Sequence, residues 1–207
     1  MRKYIVWDFN GTLLDDVEAA VLSVNESFKK VGIAPTNREE YRHNMDMPIY
    51  KYYEKHADLD KIPMSFFEHD FLMRYEKYSH TLKLSENALF TVKKLHETGV
   101  CQCVISSFEQ NRLVELLKKF GLFEYMDGVF GADNTKCLSK IDRGIEWMKT
   151  HNVPKEEVLV VGDMVHDRDM AEAMGVSCLL YSGGHQERSA LTACGARVID
   201  DLREVLL

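Results

Sequence analysis

"YIVWDFNGTLLDD", residues 4–16, sets an apolar run directly against an acid. Tyr4–Trp7 are apolar without a break, and Asp8 follows at once. A short continuous apolar run bounded by a turn signal is the pattern of a strand buried on both faces of a parallel sheet. Gly11 supplies that turn signal. The strand would therefore carry a carboxylate to its own carboxyl end, which is where open α/β sheets bind ligands.

Working outward, five further runs read as strands: Cys101–Ser106, Gly128–Phe130, Val158–Gly162, Ser177–Tyr181 and Arg197–Ile199, with the first taken as Tyr4–Phe9. Helical patterns separate them. Ala88, Leu89, Val92 and Leu95 share one face of 86–98, with Gly99 as the stop, and Leu113, Leu116, Leu117 and Phe120 do the same over 112–120 before Gly121. Ile141, Ile145 and Met148 stripe the next helix, and Met170, Ala171 and Met174 the one before Gly175. Strand and helix alternating in this way predict an α/β fold, a doubly wound parallel sheet.

Residues 16–84 break the rhythm. No convincing strand is visible there. Val17, Ala20, Val21, Val24, Phe28 and Val31 mark an amphipathic helix, and Ser65-x-x-Glu68 after Pro63 reads as a capping box for another. The expected organisation is a core domain from 1–15 and 85–207, with an inserted helical domain at 16–84 lying over the carboxyl ends of the strands.

Composition narrows the classes. A chain of 207 residues that is 45% hydrophobic can bury a core. Its net charge of −7 argues against nucleic acid or an anionic membrane as partner. No apolar stretch is long enough to span a bilayer, and the run after Arg2 and Lys3 is too short for a secretory signal. The cysteines (101, 103, 137, 178 and 194) form no C-x-x-C pair, so zinc is not expected, and a reducing, cytoplasmic setting fits. Cys101 and Cys103 read as core residues of their strand. The expected assembly is a monomer or a homodimer.

Chemistry-bearing residues gather at successive strand ends. Asp8 follows the first strand, Ser106 and Ser107 the second, Asp133 and Asn134 the third, and Gly162-Asp163 the fourth, with Asp167 beyond. Lys140 starts the helix leading into that fourth strand. Converging carboxylates repel one another unless a cation or proton intervenes. An oxygen-only donor set with no His or Cys favours Mg²⁺. Each residue alone has a plain alternative: a turn acid, a strand-end serine, or acids at the positive start of a helix. Their joint arrival outweighs those readings.

With these motifs in order, the chain resembles the haloacid dehalogenase superfamily, most nearly its phosphoglycolate-phosphatase-like branch with a helical cap. The motifs are Asp8-Phe9-Asn10-Gly11-Thr12, Val104-Ile105-Ser106, Lys140, and Gly162-Asp163-Met164-Val165-His166-Asp167. The resemblance implies a Mg²⁺-dependent phosphatase of a small phosphorylated metabolite, working through an aspartyl-phosphate. Asp8 would be the nucleophile. Asp8, Asp163, Asp167 and the main-chain carbonyl of Asn10 would hold the metal. Gly11, Ser106, Ser107 and Lys140 would bind phosphate, with Ser106 and Lys140 also serving catalysis.

Asn10 departs from the pattern. The family's phosphatases have an acid there that protonates the leaving alkoxide and then deprotonates water. An amide exchanges no proton near neutral pH. General acid–base help is worth ~10²–10⁴ in rate, so slow turnover is expected. Asp15, Asp16 or a histidine of the insertion remain as alternative proton sources. A nearly inactive phosphoryl-ligand-binding protein of the same fold is the second reading. A phospho-accepting receiver is a third, but its acceptor would follow the third strand, and it has no helical insertion after the first. Arg42–His56 is the expected specificity segment.

Overall fold

The computed structural model describes residues 3–132 and 139–207, without the side chains of Asp70 and Leu72. The expected sites Asp133 and Asn134, and Cys137, lie outside the described residues. In chain order the elements are β1 (Tyr4–Trp7), β2 (Leu14–Asp15), α1 (Val17–Lys30), α2 (Arg38–Asn44), α3 (Tyr50–Glu54) and α4 (Met64–Lys77). Then come β3 (Lys83–Leu84), α5 (Ala88–Glu97), β4 (Cys101–Glu109), α6 (Gln110–Lys119), β5 (Gly128–Ala132) and α7 (Lys140–His151). The chain closes with β6 (Val158–Gly162), α8 (Val165–Met174), β7 (Ser177–Tyr181), α9 (Arg188–Ala193) and β8 (Arg197–Ile199).

Six strands form one parallel sheet in the order β5-β4-β1-β6-β7-β8. The α/β doubly wound layer anticipated from the apolar runs is thus present. β1 is central, and Trp7 pairs with both Val104 of β4 and Val161 of β6. That register brings Asp8, Ser106 and Asp163 together at the carboxyl ends of the central strands, although β4 runs on to Glu109, so Ser106 and Ser107 lie inside a strand expected to end at Ser106.

Alternation along the strands divides the core between two faces. Ile5, Trp7, Val104, Leu159 and Val161 pack with Val92, Leu95, Leu113 and Leu117 on one side. Val6, Cys103, Ile105, Val158 and Val160 pack with Trp147, Met148, Met170 and Met174 on the other. A polar exception, Gln102, is fully buried in β4. Its side chain accepts from Trp7 Nε1 at 3.0 Å and donates to the Val92 carbonyl at 2.9 Å, so its burial is compensated. Cys103 is buried in this core, whereas Cys101 is only partly covered.

The four helices between β2 and β3 build a separate apolar cluster from Val17, Val24, Phe28, Tyr41, Tyr52, Tyr53 and Phe67. Two expectations for this segment are corrected. The Ser65 capping box does not form: α4 begins at Met64, after Pro63, without a side-chain cap, so Ser65 already lies inside the first turn. The segment also ends in a strand. Lys83–Leu84 pairs antiparallel with Leu14–Asp15, making a two-residue ribbon where the chain leaves and re-enters the sheet layer. No helix among the described residues is long and apolar enough to cross a membrane.

Candidate active site

Beyond β1 the chain turns sharply. Gly11 has φ +77°, and a Cβ there would lie 2.1 Å from an Asp163 carboxylate oxygen, so only glycine fits. Gly162 is required for a similar reason, since its Cβ would fall 2.1 Å from Asp167 Cγ. The first of these close approaches lets the loops after β1 and β6 touch. Thr12 Oγ1 then donates to Asp163 Oδ1 at 3.0 Å.

Asp8, Asp163 and Asp167 are all buried, and ligand oxygens of the three lie within 4.8 Å of one another. Lys140 reaches between two of them: Nζ lies 2.5 Å from Asp8 Oδ1 and 2.5 Å from Asp167 Oδ1. Lys140 is held there by the start of α7, where Ser139 and Asp142 form a reciprocal cap. Asp167 also closes the start of α8, as Oδ2 accepts from the amides of Asp163 and Met164 at 3.0 and 2.9 Å.

Electrostatics set the character of this cluster. Burial, with Asp167 and Asp163 adding repulsion, pushes the Asp8 carboxyl well above the usual range despite the attraction of Lys140. Burial, with Asp167 alongside, raises Asp163 to about 6, against the pull of His185 and Lys140. Burial alone would lower Lys140, but Asp167 and Asp8 outweigh it and hold the ammonium above its ordinary value. Among the described residues, one directly bonded cation, Lys140, serves two of these three buried carboxylates. That excess of negative charge, on oxygen donors only, fits a hard divalent cation.

Ser106 is buried, and its Oγ accepts from the Phe108 amide at 3.0 Å, which leaves its own proton to donate. Ser107 is exposed to the cavity beside it. The Gly11 amide is engaged inside its own loop, on the Leu14 carbonyl at 2.8 Å and on Asp16 Oδ1 at 2.9 Å. Gly11 therefore shapes the site, while Ser106, Ser107 and Lys140 face the space above Asp8.

The Asn10 side chain turns toward Asp16, donating to Oδ2 at 2.8 Å. Tyr75 of α4 donates to the same oxygen at 2.7 Å. His185 Nε2 lies 3.0 Å from Asp16 Oδ1, and His185 Nδ1 lies 3.0 Å from the Tyr41 hydroxyl of α2. Burial would raise Asp16, but His185, Asn10 and Tyr75 together hold it below the usual range. Burial would lower His185, yet Asp16 and Asp163 push it up to about 9. The pair is thus a buried carboxylate–imidazolium contact.

Sequence reasoning had named Asp16 only as one of several proton sources, and it missed His185, Tyr41 and Tyr75. Asp15 turns elsewhere, toward Arg38 and Lys83 at 3.8 and 3.3 Å. Above these groups is a cavity of about 580 Å³, roofed by the helices of 17–77 and floored by Asp8, Ser106, Lys140 and Asp167.

The family model for haloacid dehalogenase-like hydrolases matches residues 5–181. The chain belongs to that family. Among haloacid dehalogenase-like hydrolases it is similar to a phosphoglycolate phosphatase of Pseudomonas fluorescens, 26% identical over 216 residues, covering 100% of this chain and 79% of that one. Its fold is shared with a haloacid dehalogenase-like family hydrolase from Streptococcus pneumoniae, at TM-score 0.86 and 19% identity over 99% of this chain and 97% of that one. A further solved neighbour is an Asp-to-Asn mutant of CbbY from Rhodobacter sphaeroides in complex with xylulose-1,5-bisphosphate, at TM-score 0.73 and 20% identity, covering 99% and 96%.

Proposed function

We propose that this hydrolase is a Mg²⁺-dependent phosphatase of a small phosphorylated metabolite, working through an aspartyl-phosphate on Asp8. The observation that carries this reading is the Lys140 ammonium bridging Asp8 and Asp167 on the cavity floor, with Asp163 in the same cluster. The carboxylates of Asp8 and Asp163 and the main-chain carbonyl of Asn10 would hold Mg²⁺, with Asp167 in support, and the ion would offset the repulsion between an anionic nucleophile and an anionic phosphate.

An Asp8 carboxylate oxygen attacks phosphorus, and the bond from phosphorus to the ester oxygen breaks. The leaving alcohol departs with a proton taken from its surroundings. Lys140 stabilises charge on the nucleophile and on the phosphoryl oxygens, and Ser106 donates a hydrogen bond to one of those oxygens. Water then attacks the aspartyl-phosphate, releasing inorganic phosphate and restoring Asp8. The roof of helices excludes bulk water while this proceeds.

Asn10 supports a slow version of this cycle. Its amide is bonded to Asp16 and transfers no proton, so both the departure of a poor leaving group and the activation of water lose a customary aid. The same observation favours a second reading, a phosphoryl-ligand-binding protein with residual activity. Release of inorganic phosphate from an alkyl phosphate panel, with and without Mg²⁺, separates the two. Metal-dependent turnover that vanishes in a folded Asp8→Ala variant supports the phosphatase; saturable binding without turnover supports the second reading.

A further inference from the structure

We propose that the cavity above Asp8 selects phosphate monoesters with an apolar body of aromatic size and no second anionic group. This rests on the phosphatase reading and deepens it by naming the class of substrate.

The walls are the first observation. Tyr52 and Tyr53 of α3, Phe71 of α4 and Phe108 near the end of β4 line the cavity, together with Met45 and Met47. Tyr52 and Tyr53 are themselves packed in the aromatic cluster around Phe28 and Phe67, which fixes their orientation. Concave apolar walls with a few convergent polar groups at one end suit a ligand with one polar head and an apolar body. A two-carbon ester would fill only a small part of 580 Å³.

The charges are the second. Among the described residues, Lys140 is the only lysine or arginine lining the cavity, and it is bound to Asp8 and Asp167. The arginines nearest in sequence to the wall residues are committed elsewhere. Arg42 donates to the carbonyls of Ser182, Gly184 and Gln186, Arg74 pairs with Glu26 at 2.8 Å, and Arg112 pairs with Glu76. The His185 ring is tied between Asp16 and Tyr41. Glu68 adds negative charge to the lining, while the Asp16 charge is matched by His185. Besides Lys140, His185 and His166, no cationic side chain lines this space among the described residues, so a carboxylate or second phosphate entering it would lose its water and gain no further lysine or arginine in return, which is costly. An apolar body would release water from apolar walls, which is favourable. Phosphoglycolate, the compound in the names of the similar proteins, carries such a carboxylate.

The test compares 2-phenylethyl phosphate, n-hexyl phosphate and phosphoglycolate with the full-length protein and Mg²⁺. All three leave as primary alkoxides, so leaving-group chemistry is matched. The two apolar esters should exceed phosphoglycolate in kcat/KM by about tenfold or more, the scale on which a shaped apolar pocket discriminates. Equal or faster hydrolysis of phosphoglycolate overturns the proposal. If no ester releases phosphate, the phosphatase reading fails, and the pocket is then read by calorimetric titration with 2-phenylethylphosphonate and phosphonoacetate. Tighter binding of the aromatic phosphonate, by about tenfold, upholds the proposal; equal or weaker binding, or none, overturns it. Met47→Lys, at a half-buried wall position, should shift the preference toward phosphoglycolate. An unchanged ratio in that folded variant counts against it.

Discussion

Asn10 donates its side-chain amide to Asp16 at 2.8 Å, and Asp16 in turn contacts His185 at 3.0 Å. The position at which the family resemblance implies a proton-transferring acid is thus filled by an amide held on a buried pair of Asp16 and His185. Asn10→Asp should raise turnover of alkyl phosphates by roughly 10²-fold and of aryl phosphates by less, because aryl leaving groups need less protonation. Kinetics across a leaving-group series would measure this, with mass spectrometry confirming that the Asn10-Gly11 pair has not deamidated. A ratio near unity along the series would remove Asn10 from the account of slow turnover.

The Asp16–His185 contact joins residues 169 apart in sequence, and both are buried. Asp16→Ala removes one member and strands the charge of the other. It should lower unfolding free energy by ~3–5 kcal/mol, the scale for breaking a buried pair. Urea titration followed by circular dichroism would show it as a reduced midpoint. A loss below about 1 kcal/mol would mean the pair behaves like a surface contact.

The two downstream carboxylates should differ in their service to metal. Asp163 accepts only neutral donors among the described residues, from Thr12 Oγ1 and the His185 amide at 3.0 and 2.6 Å, whereas Asp167 spends one oxygen on the Lys140 ammonium and the other on the start of α8. Asp163→Ala should therefore weaken Mg²⁺ binding more than Asp167→Ala. Calorimetric Mg²⁺ titration of parent and both variants is the measurement. Equal affinities in all three would remove the proposed metal site.

The antiparallel ribbon Leu14–Asp15 with Lys83–Leu84 is where the helical layer meets the sheet layer. Substrate must enter and water must be excluded, so the helices of 17–77 should open and close about this ribbon. Hydrogen exchange at 14–16 and 82–85 should slow under a saturating phosphate analogue. Identical protection with and without ligand would argue for a fixed roof.

The strands were legible because buried parallel strands are continuous apolar runs, and four were followed by residues with chemistry: Asp8, Ser106, Asp133 and Asp163. The floor of the site was legible for the same reason, since strand ends are ordered by the sheet. The ribbon strand at Lys83–Leu84 was not, because two residues carry no period. Ser65 and Glu68 had the letters of a capping box, yet the helix starts at Met64, after Pro63, two residues too early for it. His185 was missed because its role depends on the loop after β7 folding back to Asp163, to which its amide donates at 2.6 Å, and no local spacing announces that. Tyr41 and Tyr75 carry no sequence motif, and only their hydroxyls' contacts with His185 and Asp16 reveal them.

The central claim is that Asp8 accepts the phosphoryl group and that, with Asn10 beside it, the water step is the slow one. Rapid-mixing measurement of p-nitrophenol release from p-nitrophenyl phosphate in the presence of Mg²⁺ tests this most directly. The account predicts a fast burst of about one equivalent per enzyme, followed by slow steady turnover, as a covalent intermediate accumulates. It also predicts a phosphoryl group on the acid-quenched peptide containing Asp8. Linear release from the first turnover, with no phosphorylated Asp8 peptide, would contradict it.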